Sequence, residues 1–260
     1  MKKITIIGGG NLGSAIATGL LKSNFCTSTN LTVTKRNTKT LDFLKSKAVQ
    51  ITSDNKKAVA QSEVIILAIK PFQIKEVLEE IQPFITEKHI LISVVTGISI
   101  YEIKSIITNK ITVFRAMPNT AIAIQESITC LSWDNANKVQ IKYVEDLFNK
   151  LGKTANIDEK LMNAATVLGA CGTAYAMRYI RANIQGGIEI GFDAKTASLI
   201  AAQTVKGAAE LLLTTHTHPE QEIDKVTTPK GCTITGLNEM EHQGFSSSII
   251  KGIAASFDKI

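Results

Sequence analysis

No two cysteines of this sequence are near neighbours along the chain. Cys26, Cys130, Cys171 and Cys232 lie far apart, with no CxxC or CxxH pair. That spacing excludes a zinc-ribbon type of site and points to reduced thiols. A metal is not expected elsewhere either. His216-Thr217-His218 has no carboxylate or cysteine cluster to complete it and reads as a solvated turn before Pro219. Long apolar runs are also missing. The most apolar later stretch, Leu161 to Ile180, is rich in Ala and Gly and leads into Arg178 and Arg181, so a buried helix pair is predicted, not a membrane span. Met1-Lys2-Lys3 runs straight into a short β-favouring segment that glycines cut off, which is no leader peptide. A cytoplasmic location is the expectation.

The excess of positive charge is modest, at +6, and scattered in pairs such as Lys2-Lys3, Lys35-Arg36 and Lys56-Lys57. Without a basic stripe interleaved with aromatics, a nucleic-acid surface is not expected, although an anionic small ligand could use some of this charge. No internal repeat or low-complexity linker interrupts the chain. What remains is a 260-residue globular chain, 44% hydrophobic and 20% charged, able to bury a core in one or two domains.

The stretch that organises the rest is Ile4-Thr5-Ile6-Ile7-Gly8-Gly9-Gly10-Asn11-Leu12-Gly13. Four β-favouring residues end at Gly8-x-Gly10-x-x-Gly13, and a helical pattern (Leu12, Ile16, Leu20) follows at once. This strand, turn and helix has the glycine order of a dinucleotide-binding turn. The first glycine permits the turn, the second lets a pyrophosphate approach, and the third allows close packing. The phosphates then meet free N–H groups and the positive end of the helix dipole.

An acidic residue is missing from the place where NAD-binding units hold the ribose 2′-hydroxyl. After the second strand, Leu31 to Thr34, the chain offers Lys35 and Arg36 instead. A guanidinium can hold a 2′-phosphate with paired hydrogen bonds, so NADP(H) is expected over NAD(H), with NAD(H) still usable. Beyond it come a helix at Thr40 to Lys47 and a short strand near Gln50-Ile51. Val64 to Ile69 is apolar throughout, as a strand covered on both faces must be. It ends at Lys70-Pro71, at the carboxyl edge of the sheet, where ligands bind. A helix at Ile74 to Ile81, a strand at Ile90 to Val95 and Thr96-Gly97 follow. Next are a helix at Ile100 to Ile107, a strand at Ile111 to Phe114, and a loop from Arg115 to Thr120. Short links between alternating strands and helices predict an α/β, doubly wound, mostly parallel sheet with right-handed crossovers.

From Glu159 the strand signals vanish. Helices are predicted at Lys160 to Gly169, Thr173 to Glu189, Ala194 to Leu213, Gly231 to His242 and Ser246 to Phe257. Their many alanines permit close helix approach. The expected division is therefore 1–158, a dinucleotide-binding domain, and 159–260, an all-α domain apolar enough to pack on a partner chain.

Several groups of residues together resemble the pyrroline-5-carboxylate reductase family. They are the glycine turn, Arg36-Asn37, Asn55, Ala68-Ile69-Lys70-Pro71, Met117-Pro118-Asn119-Thr120, Ala201 to Ala209, and Val226 to Leu237 with its Pro229-Lys230-Gly231-Cys232-Thr233. The resemblance covers nearly the whole chain in order. It implies a Rossmann domain followed by a helical dimerisation domain, and NAD(P)H-dependent reduction of 1-pyrroline-5-carboxylate to proline. It also implies a homodimer or larger assembly, up to a decamer, in which two chains share each active site.

Residue by residue, the family match places Ile7, Gly8, Gly9, Gly10, Asn11 and Leu12 at the pyrophosphate, and Arg36 and Asn55 at the adenosine end. Ala68, Ile69, Lys70, Pro71, Thr96 and Gly97 fall on the nicotinamide side, and Asn119 belongs to the cofactor set. Lys230, Gly231, Cys232 and Thr233 would bind the imino-acid substrate, with Thr233 as the catalytic hydrogen-bonding group. No strong general acid is needed, because an imine can bring its proton from solution.

Two departures from the family pattern stand out. Gly169-Ala170-Cys171-Gly172-Thr173-Ala174-Tyr175 replaces a Ser/Gly-rich run with proline, and Lys230 replaces a glycine. They leave open a related imine reductase with another substrate, or a dinucleotide-binding regulatory protein without turnover. A hydroxyacid reductase would want a lysine on the helix Thr173 to Glu189, and none is there.

Overall fold

The computed structural model describes residues 1–108 and 110–260. β1 (Ile4–Ile7), β2 (Leu31–Thr34) and β3 (Gln50–Thr52) run to one side of β1. β4 (Val64–Leu67), β5 (Ile90–Ser93), β6 (Thr112–Met117), β7 (Ser127–Asp134) and β8 (Gly152–Asn156) run to the other. The order β3-β2-β1-β4-β5-β6-β7-β8 reverses direction at β1, and that switch point opens a crevice at the carboxyl edge. All pairs are parallel except β6–β7.

The inner strands β1, β4, β5 and β6 are buried at every position because helices cover both faces. α1 (Asn11–Lys22), α2 (Asp42–Lys45) and α6 (Lys138–Asn149) set Ile16, Leu20, Leu44 and Phe148 against Ile6, Val33, Ile66 and Phe114. On the opposite face, α3 (Asn55–Ala60), α4 (Ile74–Ile81) and α5 (Ile100–Ile106) set Val59, Leu78, Ile81 and Ile103 against Ile65, Leu67, Leu91 and Val113. In α4, Ile74, Val77, Leu78 and Ile81 form the buried stripe, while Lys75, Glu76 and Glu79 face outward. Each such aliphatic side chain contributes about 1.5–3 kcal/mol of burial. Cys26 lies in this core, and burial pushes its thiol up to about 11, so it stays protonated and unreactive.

The chain divides into two compact units, Met1–Thr173 with Ile260, and Ala174–Lys259. Toward the end of the first unit, α7 (Met162–Ala165) passes through a π-turn at Thr166–Cys171 into α8 (Gly172–Glu189). A helix break was expected between Gly169 and Thr173. The wider turn absorbs the glycines without breaking the helix, and Asn119 Nδ2 donates to the Gly169 carbonyl at 3.2 Å. Strand β6 is also longer than expected. Ala116 and Met117 pair with Leu131 and Cys130, so the antiparallel partner extends the ladder through residues expected in a loop.

The second unit continues with α9 (Ala194–Thr215), α10 (Pro219–Val226), α11 (Cys232–His242) and α12 (Phe245–Phe257). α10 was not anticipated; His218 caps it by accepting the Glu220 N–H, and Pro219 occupies its first turn. Within this unit Gly187 approaches Ala197 closely, the Tyr179 and Phe245 rings lie 5.9 Å apart, and Tyr175 bonds Ser256 at 2.6 Å. Of the stretch expected as a buried helix pair, Met162, Thr166 and Val167 are buried, but α8 has no buried residue, nor have α11 and α12. Met177, Leu199, Leu213 and Ile250 are each more than 60% exposed, an apolar surface of the kind that marks an interface.

Candidate active site

The glycine turn leaves β1 with Gly8 at φ +107°, and a Cβ there would lie 2.3 Å from the Ala68 carbonyl oxygen. At Gly13 a Cβ would lie 2.0 Å from the Gly8 oxygen, so only glycine lets α1 start so close to the strand. At Gly10, by contrast, a Cβ meets nothing within 4 Å: the space before the helix is open. The N–H groups of Gly8 and Gly9 are already given to the Thr34 carbonyl, at 3.1 and 2.8 Å. The open donors are those of Gly10, Asn11, Leu12 and Gly13, which have no acceptor among the described residues. Gly10 caps α1 without a side-chain bond, and the first turn carries no acidic residue, which suits a pyrophosphate at the positive helix end. Ile7 is 1% exposed and its carbonyl accepts the Ala68 N–H, so it shapes the turn and offers no free group.

At the end of β2 the expected adenosine residues are both engaged. Exposed Arg36 donates from Nη2 to both carboxylate oxygens of Glu76, at 3.3 and 3.4 Å. Asn55 accepts from the Thr34 hydroxyl at 2.6 Å and donates to Glu80 at 2.9 Å. Glu76 and Glu80 stand one turn apart on α4. Neither was anticipated, because nothing local in α4 refers to β2.

Ala68, Ile69, Lys70 and Pro71 follow β4 along the carboxyl edge, and Thr96-Gly97 follows β5 there, both exposed. Gln73 Oε1 accepts the Lys70 N–H, which fixes the turn. Asn119 is used for structure at both ends of its amide: Oδ1 accepts the Ala121 N–H, and Nδ2 holds Gly169. Beneath this edge lies an ion pair that the sequence did not reveal. Arg115, on β6, donates to Glu159 at 3.1 Å, and the same carboxylate oxygen accepts the Ile100 N–H at 2.7 Å. Glu159 thereby ties the start of α5, just beyond Thr96-Gly97, to the central sheet.

In the second unit, Lys230 stands at φ +58°, the left-handed region where the family resemblance expected glycine. A Cβ on Gly231 would meet the Thr228 hydroxyl at 2.5 Å, so that position admits no side chain without a shift. Gly231 caps α11 without a side-chain bond, leaving the N–H groups of Cys232, Thr233 and Ile234 open among the described residues. Thr233 is exposed, and its hydroxyl has no partner among the described residues. Lys230, Gly231, Cys232 and Thr233 thus form one open, positively biased helix start able to receive a carboxylate.

A doubly wound sheet with a glycine turn at its first strand, followed by a helical unit, is the architecture of the two-domain dinucleotide-binding class. Residues 3–97 match the family described as NADP oxidoreductase, coenzyme F420-dependent, and residues 159–260 match pyrroline-5-carboxylate reductase dimerisation. The chain belongs to the pyrroline-5-carboxylate reductase family. It is 46% identical to pyrroline-5-carboxylate reductase 1 of Dictyostelium discoideum over 98% of this chain, but spans only 49% of that protein's length. It is 43% identical to pyrroline-5-carboxylate reductase 2 of the same organism, covering 99% of this chain and 92% of that one. Among solved structures, the Plasmodium falciparum pyrroline carboxylate reductase with NADP bound superposes with a TM-score of 0.89 at 27% identity, covering 99% and 96% of the two chains. Among the described residues no helix is long and apolar enough to cross a membrane.

Proposed function

We propose that this chain is an NADP(H)-dependent reductase that converts 1-pyrroline-5-carboxylate to proline, the last step of proline biosynthesis. The observation that carries the reading is that the two stretches carrying the family resemblance, the glycine turn and Pro229 to Thr233, each end at a helix start without a side-chain cap. One lies behind the glycine turn. The other, at Gly231, bears a free threonine hydroxyl in its first turn. We assign 1–158 to the cofactor and 159–260 to substrate and association.

When bound, NADPH supplies the hydride that converts the C=N bond to an amine. Gly10 to Gly13 hold the pyrophosphate with main-chain N–H groups, and Arg36 takes the 2′-phosphate. Ala68 to Pro71 and Thr96-Gly97 wall the reacting edge. The open N–H groups of α11 and the Lys230 ammonium bind the substrate carboxylate, and Thr233 hydrogen-bonds the ring nitrogen, which arrives protonated from solution. Rate then comes from position and preorganised charge, not from a dedicated acid. NADH serves as a weaker second cofactor.

The chain assembles as a homodimer or a larger homo-oligomer, up to a decamer, with active sites shared between copies. The exposed apolar side chains of α8, α9 and α12 support this association. Free cysteines support a cytoplasmic location.

The test is oxidation of NADPH, and separately NADH, by purified protein with and without 1-pyrroline-5-carboxylate. Substrate-dependent loss of NADPH, faster than that of NADH, is the expected result. Tight NADPH binding without turnover would instead indicate a regulatory protein of this fold.

A further inference from the structure

The acidic residue missing from the end of β2 is supplied from elsewhere. Glu76, forty residues on in sequence, places its carboxylate against Arg36, with Nη2 at 3.3 and 3.4 Å from its two oxygens. One turn further along α4, Glu80 holds Asn55 at 2.9 Å. Both residues assigned to the adenosine end are therefore held by carboxylates of one helix. The remaining acid of that stretch, Glu79, is paired with Lys75 at 3.9 Å, so Lys75 does not neutralise Glu76.

This arrangement treats the two nicotinamide cofactors differently. A 2′-phosphate arriving at Arg36 carries nearly two negative charges and must displace Glu76 from the guanidinium, then remain beside a like charge. A ribose with a free 2′-hydroxyl makes no such demand, and its O–H can donate to a carboxylate. We infer that Glu76 is a specificity-determining residue: it competes with the 2′-phosphate for Arg36, limits the preference for NADP(H), and keeps NAD(H) usable. The inference rests on Arg36 being the 2′-phosphate residue of the proposed function. Arg36 and Glu76 are both more than two-thirds exposed, so the effect is moderate and falls with salt.

Calorimetric binding of adenosine 2′,5′-bisphosphate and of 5′-AMP to the full chain isolates this end of the site from turnover. Glu76→Gln is expected to tighten the bisphosphate about three- to fivefold and leave AMP unchanged, because the amide oxygen still accepts the ribose O–H. The ratio of apparent KM values for NADPH and NADH should move in the same direction by a similar factor. Arg36→Ala is the control: it should weaken the bisphosphate selectively. If Arg36→Ala is selective while Glu76→Gln changes nothing, or weakens both ligands, the role of Glu76 is overturned and that of Arg36 stands. If Arg36→Ala affects both ligands equally, the assignment of Arg36 itself fails, and the inference with it.

Discussion

Arg115 and Glu159, 44 residues apart, meet at 3.1 Å with the arginine side chain only 7% exposed and the glutamate 33%. Arg115 Nη2 is buried without a hydrogen-bond partner, so among the described residues Glu159 is the carboxylate that bonds the guanidinium, with Glu102 adding a longer-range Coulombic attraction. Removing one member of a buried pair leaves an uncompensated charge, whereas the pair itself contributes little net stability. Glu159→Ala should therefore cost about 3 kcal/mol. In thermal unfolding that is a fall of roughly 6–12 °C in Tm. A fall under about 1 °C would mean that water satisfies the guanidinium equally well.

The same helix start has an acid-sensitive cap. Glu102 accepts both the Ser99 hydroxyl and the Ser99 N–H at 2.7 Å, and these bonds hold its carboxyl below the usual glutamate range. A lowered value in the folded state means the contribution is complete above the unfolded-state value. It disappears as pH falls through the folded one. Glu102→Gln should flatten the decline of the urea midpoint as pH falls through and below the usual glutamate range. An unchanged acid limb would show that this cap does not contribute to acid unfolding.

Lys230 occupies a left-handed conformation at φ +58°. Lys230→Gly should relieve about 1 kcal/mol of strain and raise Tm by roughly 2–4 °C. If the ammonium also anchors the substrate carboxylate, KM for 1-pyrroline-5-carboxylate should rise while adenosine bisphosphate binding stays constant. A stabilised protein with unaltered KM would leave Lys230 with a conformational role alone.

Thr233→Val keeps the β-branched shape and deletes the hydroxyl, which has no partner among the described residues. Turnover should fall about 10- to 100-fold with NADPH affinity nearly intact. Loss of both together would point to a misfolded α11.

Much of the first unit was readable because its signals are local. Ile4–Ile7 and Val64–Leu67 are strands covered on both faces, and α4 carries its apolar stripe at helical spacing. The errors fall where a neighbour overrides the local pattern. Met117 joins β6 because Cys130 stands opposite it, and Gly169 stays helical through a π-turn whose carbonyl Asn119 satisfies. Thr34, on the adjacent strand, likewise takes the N–H groups of Gly8 and Gly9, so the donors left open in the turn run from Gly10 to Gly13.

Residue order alone was enough for the glycine cradle, the doubly wound sheet and the small-residue helices, because each depends on backbone sterics or burial within a few residues. Tertiary structure alone decided that Glu76 faces Arg36, that Glu159 supports Arg115, and that Lys230 takes a glycine's conformation. The first two join residues 40 or more positions apart whose meeting is set by strand order and crossover geometry. Periodicity reports which face of an element is buried, but not which distant charge will stand beside it.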